Sequence, residues 1–133
     1  MNMPIPSYSG NIIKETIENT FFRKVLFTGK NSQLVVMDIK PGEDIGEEKH
    51  RHTEQALFLL RGTGKAILDG VEETYEAGDV VVVTPGTTHN FINTGTESMK
   101  IYTVYSPPNH IDGRIHKTKA DATSDLEDEE VGE

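Results

Sequence analysis

Apolar residues in this chain fall in short runs, each closed by a Gly, Pro or Asx turn, and that rhythm belongs to an all-β barrel or sandwich. Gln33–Ile39 is rich in strand formers and stops at Pro41-Gly42; residues 56–60 are continuously apolar and stop at Gly62-Thr63-Gly64. Residues 66–68 and 71–75 flank Asp69-Gly70, a pair that accepts the positive φ angles of a two-residue type I′ hairpin. Val80–Val83 shows no polar alternation, which predicts burial on both faces, and Pro85-Gly86 ends it. Residues 89–92 and 100–106 add two strands joined across residues 93–96, and Pro107-Pro108 forbids continuation of the last. The pattern predicts roughly eight strands in one closed or sandwiched sheet system. Residues 12–22 fit a helix through Ile13, Ile17 and Phe21 with Asn11 as cap, and a strand through Thr16, Thr20 and Phe22.

Composition narrows the chemistry. At 133 residues the chain has the size of one domain, and it holds no cysteine, so any bound metal is held by nitrogen and oxygen ligands. The net charge of −9 argues against nucleic acid as a partner. Much of that charge sits in Asp121, Asp125, Glu127, Asp128, Glu129, Glu130 and Glu133, a stretch without a base. Residues 1–120 are therefore expected to form a single domain and residues 121–133 an acidic, disordered tail. No apolar run reaches the length of a membrane span, and Met1-Asn2-Met3-Pro4 lacks the basic start of a secretion signal, so a cytoplasmic location and no membrane partner are expected.

Candidate chemistry centres on histidine. His50-Arg51-His52, read as strand, puts two imidazoles on one face where they share a cation, while the alternative is a pair of solvated histidines in a charged stretch. His89 opens a later strand directly after a Pro-Gly turn. Gln55 starts a buried strand with Leu57 and Leu59 on its own face, and a buried amide needs partners; a metal ion or backbone groups would both serve. The same alternation places Leu57, Leu59, Phe91, Tyr102 and Val104 inward, with Arg51 and Arg61 outward. His110 and His116 follow Pro107-Pro108 in a polar segment and are expected at the surface.

Taken together, these residues resemble the cupin superfamily. Its first motif runs Gly, five residues, His-x-His, three or four residues, Glu, six residues, Gly; here His50-Arg51-His52, Gln55 and Gly62 stand for it, with Asp44 where the first glycine belongs and Glu54 beside the carboxylate position. Its second runs Gly, five residues, Pro-x-Gly, two residues, His, three residues, Asn; Gly78, Gly86, His89 and Asn93 match, with Thr84 in the proline position. The resemblance implies a double-stranded β-helix (jelly-roll) barrel, a homodimer, and one divalent transition metal (Zn, Ni, Fe, Mn or Co) on His50, His52, Gln55 and His89. Three imidazoles and an amide would leave the metal's charge uncompensated.

The function classes that follow are a metal-dependent enzyme on a small oxygenated molecule such as a sugar, a dioxygenase using a divalent metal, and a non-catalytic binding module. Similarity to the small cupins grouped with mannose-6-phosphate isomerase favours isomerase-like chemistry, with Glu54 or Tyr102 as the catalytic proton-transfer group. The outward arginines argue for an unphosphorylated small-molecule ligand.

Overall fold

The structure is a computed structural model that describes residues 7–132; the leader-free reading of residues 1–4 concerns a stretch outside them. The elements run α1 (Ile12–Glu18), β1 (Arg23–Thr28), β2 (Gln33–Ile39), β3 (Glu48–Lys49), β4 (Glu54–Arg61), β5 (Thr63–Leu68), β6 (Val71–Glu76), β7 (Val80–Val83), β8 (Thr88–Asn93), β9 (Met99–Ser106), β10 (Ile115–His116), α2 (Lys119–Ser124) and α3 (Leu126–Val131). They build two antiparallel sheets, in the orders β10-β1-β2-β9-β4-β7 and β3-β8-β5-β6, around one core. This is the expected jelly roll, and every strand read from the apolar pattern is present. β1, whose Val25-Leu26-Phe27 run follows two basic residues, was not read in the sequence, and the two-residue β3 and β10 carry too little apolar signal to be read there.

The core follows the alternation of the central strands. Leu57 and Leu59 of β4, Phe91 of β8, Val35, Met37 and Ile39 of β2, and Ile101 of β9 all point inward. Tyr75 of β6 joins them and donates its hydroxyl to the Leu57 carbonyl at 2.9 Å, which satisfies both buried groups. The hairpin turn forms as expected, with Asp69 at φ 48° and Gly70 at φ 82°. Gly62 answers a double demand: its φ is 104°, and a Cβ there would lie 2.9 Å from the Ser98 carbonyl oxygen.

Several expectations are corrected. On β9 the inward residues are Thr103 and Tyr105, while Tyr102 and Val104 face the other side, where the Tyr102 ring stacks on Phe58 with centroids 4.6 Å apart. β7 is an edge strand rather than one buried on both faces; Val80 and Val82 are 49% and 53% exposed. The ambiguous N-terminal stretch is helical at its start, capped by the Asn11 side chain. It lies over the outer face of the larger sheet, which is why Val36, Asp38 and Lys100 are buried on the side opposite the core.

The C-terminal stretch expected to be a disordered tail instead folds into α2 and α3. Thr118 and Asp121 form a reciprocal capping box at the start of α2, and Asp125 caps α3. The acids have buried partners: Asp128 pairs with His110 at 2.7 Å, and Asp125 with His116 at 2.9 Å. His110 and His116, expected at the surface, are both buried by this packing.

Candidate metal centre and its cavity

The site is built where the smaller sheet meets the barrel interior. β3 and β8 pair antiparallel with Glu48 directly opposite His89, so the two side chains share a face. His50 lies two residues beyond Glu48. The chain bends at Arg51 and His52, whose side chains are exposed, and re-enters the barrel through buried Thr53 and Gln55. The Gly86 amide donates to the His50 carbonyl at 2.8 Å and fastens that crossing.

Glu48, His50 and His89 offer one ligand atom each, all within 4.8 Å of one another. The two imidazole rings are 5.0 Å apart. His89 Nδ1 faces the Thr87 carbonyl at 2.9 Å, which fixes the proton there and leaves Nε2 as a lone pair; Nε2 has no hydrogen-bond partner although it is buried. His50 Nε2 is likewise buried and unbonded: Glu48 Oε2 is 3.2 Å away, but not in line for an N–H bond. Gln55 Nε2 donates to Thr103 Oγ1 at 3.1 Å, which turns Oε1 the other way, again buried without a partner. Unpaired buried polar atoms are costly, so two orphaned imidazole nitrogens clustered with a carboxylate fit a divalent cation, and Gln55 Oε1 is a further buried oxygen in need of a partner. Burial lowers the His89 pKa and keeps the imidazole neutral. Burial works to raise Glu48, but the His50 imidazole and the Arg23 charge outweigh it and hold the carboxyl below its usual range.

Of the residues expected as ligands, His50, Gln55 and His89 are buried in the interior, and His52 is exposed. Neither expected proton-transfer residue lines the cavity: Glu54 is exposed and Tyr102 is on the outer face. Glu48 was missed, although the spacing contains it. Counted from Glu48, the first motif reads Gly42, five residues, Glu48-x-His50, four residues, Gln55, six residues, Gly62, with every family interval satisfied and Gly42 at φ 80°. The His50-Arg51-His52 pair lies two residues downstream of the positions that satisfy the family spacing. Relative to the family pattern, carboxylate and neutral ligand have exchanged places.

A cavity of about 410 Å³ adjoins this group, and its lining includes Glu48, His50, Arg23, His110, Lys119 and Asp128. Arg51 and Arg61 are outward as expected, but Arg23, which was missed, is buried. Its guanidinium lies 3.9 Å from Glu48 and 3.4 Å from His116 Nδ1, and its Nε has no partner. Lys119 is paired with Asp44. A second group, His116, Asp125 and Asp128, also gathers possible ligand atoms, but Arg114 sits 3.2 Å from Asp125 and neutralises it as an ionic clasp.

A jelly-roll barrel with this ligand-bearing interior defines a class, that of small β-barrel proteins with a metal-binding residue group inside. The chain belongs to the cupin family: residues 35–105 match the cupin domain. It is 41% identical over 121 residues to protein YrkC of Bacillus subtilis, covering 86% of this chain and 64% of that protein. It is 37% identical over 112 residues to protein L612 of Acanthamoeba polyphaga mimivirus, covering 81% of this chain and 70% of the relative. The chain thus spans just under two thirds of the Bacillus subtilis protein. A crystal structure of a Bacillus halodurans protein superposes with a TM-score of 0.87 at 37% identity, over 91% of this chain and 96% of that one.

Proposed function

We propose that the protein is a metal-dependent cupin enzyme acting on a small oxygenated molecule, with one divalent metal on Glu48, His50, Gln55 and His89. The observation that carries this reading is the pair of buried ring nitrogens without a hydrogen bond, His50 Nε2 and His89 Nε2, clustered with the Glu48 carboxylate; Gln55 Oε1, also buried without a partner, is the oxygen proposed to complete the set. A set with one carboxylate, two imidazoles and one amide cancels a unit of the metal's charge and binds more firmly than the all-neutral set. When bound, such an ion polarises a carbonyl oxygen and orients a neighbouring hydroxyl. Arg23, buried at the cavity wall, favours the negative charge that develops on a carbonyl oxygen during proton exchange.

The chemistry that suits a hydroxy-carbonyl ligand in this cavity is proton exchange beside the carbonyl, as in aldose–ketose isomerisation. The test is anaerobic incubation of the metal-loaded protein in D2O with a panel of small aldoses and hydroxyketones, followed by NMR. Deuterium entering the carbon next to the carbonyl is expected. Oxygen uptake with no exchange would overturn the isomerase reading in favour of a dioxygenase.

The protein is also proposed to be a homodimer through the larger sheet, because edge strand β7 leaves Val80 and Val82 open. Val82→Glu is expected to shift sedimentation from dimer to monomer. A parent that already sediments as a monomer contradicts this.

A further inference from the structure

His110 is held on every side but one. After Pro107-Pro108 the chain turns back over the barrel, and buried Gln33 clamps it there: its Oε1 accepts from the Asn109 and His110 amides at 3.0 and 2.9 Å, and its Nε2 donates to the His110 carbonyl at 2.8 Å. The Asp128 carboxylate takes His110 Nδ1 at 2.7 Å with one oxygen and the Ile111 amide at 2.7 Å with the other. The Tyr105 ring packs edge-on at 4.9 Å. The remaining ring atom, Nε2, is buried and has no partner, and His110 lines the same cavity as Glu48 and His50. A histidine that merely tied α3 to the barrel would need only its Nδ1.

Accepting Nδ1–H, Asp128 fixes the tautomer that leaves Nε2 as a base, the arrangement in which a carboxylate orients a general-base imidazole. The charged groups whose fields act on the ring are Arg23 from β1, Glu48 from β3 and Asp128 from α3, and the titratable Tyr105 of β9 packs against it. Burial, the largest influence, lowers the His110 pKa against the opposing pull of the Asp128 carboxylate and so favours the neutral imidazole.

Building on the metal-site reading, we infer that His110, oriented by Asp128, is the proton-transfer residue of this cavity, taking a proton at Nε2 from a hydroxy-carbonyl or related chelating ligand. In the exchange reaction the C–H bond beside the carbonyl breaks and its electron pair becomes the new carbon–carbon π bond. The carbonyl π pair moves to oxygen, and the proton moves to Nε2. The hydroxyl proton passes to the former carbonyl oxygen, the hydroxyl oxygen's electron pair forms the new C=O bond, and the carbon–carbon π pair takes the proton back from Nε2 at the former carbonyl carbon, which completes an isomerisation without oxidant or reductant. The histidine supplies the base that neither Glu54 nor Tyr102 is placed to provide.

The test uses the full chain loaded with zinc, its zinc content measured in every variant, and acetohydroxamate as a chelating probe that loses a proton on binding. Calorimetry in two buffers of different ionisation enthalpy, at a pH below the probe's own ionisation, counts protons released. In the parent the proton is kept on His110 and few reach the buffer. In His110→Gln about one proton is released per probe bound, and deuterium exchange falls by at least about 100-fold. Asp128→Asn lies between the two and moves the pH profile of exchange. Equal proton release by the zinc-filled parent and His110→Gln overturns the inference, as does failure of the zinc-filled parent to bind the probe. A parent that holds no zinc overturns the metal-site reading instead.

Discussion

His89→Ala abolishes stable metal binding, and Glu48→Gln weakens it severely, whereas His52→Ala leaves it unchanged. Losing a hydrogen-bond partner behind a metal ligand costs about 10–100-fold in affinity, and losing a ligand exceeds that. His89 is the best-oriented of the four, because the Thr87 carbonyl fixes its tautomer. Glu48 brings the set's one negative charge, which Gln removes at nearly constant shape. His52 is exposed on the bend that follows Lys49, so its removal touches no ligand. Competition with a chelating indicator measures all three. A His52→Ala variant that loses metal together with His89→Ala would restore the literal His-x-His reading and displace Glu48.

Lys100→Ala destabilises the fold by about 3–5 kcal/mol, the cost of leaving a buried charge without its partner. Lys100 and Asp38 face one another across β2 and β9 with Nζ 2.7 Å from Oδ2, and Nζ also donates to the Asn19 carbonyl at 2.6 Å. The ammonium thus joins the larger sheet to the end of α1. Lys40 reaches the same carboxylate oxygen at 3.2 Å from a half-exposed position, so it recovers part of the pairing and sets the loss toward the lower end. In the double variant Asp38→Asn/Lys100→Met no unpaired charge is buried, and most of the stability returns. Denaturant titration of Asp38→Asn, Lys100→Met and the double variant beside the parent closes the cycle. A Lys100→Ala midpoint within error of the parent would mean that water reaches the Asp38 carboxylate.

The barrel was legible because strand-forming runs and turn residues agree along most of its length: residues 33–39, 56–60 and the Asp69-Gly70 hairpin each carry pattern and punctuation together. Which face of β9 points inward was not legible. Residues 101–105 are apolar or aromatic at both parities except Thr103, and α1 buries part of the outer face as well, so alternation had no wet side to mark. The metal site was readable in its spacing but hidden in its residue types. Counting back from Gly62 leads to Gln55, His50, Glu48 and Gly42, while the eye stops at two histidines in a row with one residue between.

The C-terminal stretch misled for a different reason. Composition describes a segment alone, and seven acids alone read as disorder. Their partners, His110, Arg114 and His116, lie only a short way upstream, and the threonine and aspartate of the α2 capping box were a local sign of a helix start. The helices so formed complete the cavity wall and bury His110 against it, although the segment that carries it is polar.

The most direct test of the metal centre is metal content per chain after zinc loading and gel filtration of the parent and of Glu48→Gln, by elemental mass spectrometry. The account predicts close to one zinc per chain in the parent and a large loss in the variant. A parent that stays metal-free after loading would contradict it, and the three unpartnered atoms of the interior would then need another ligand.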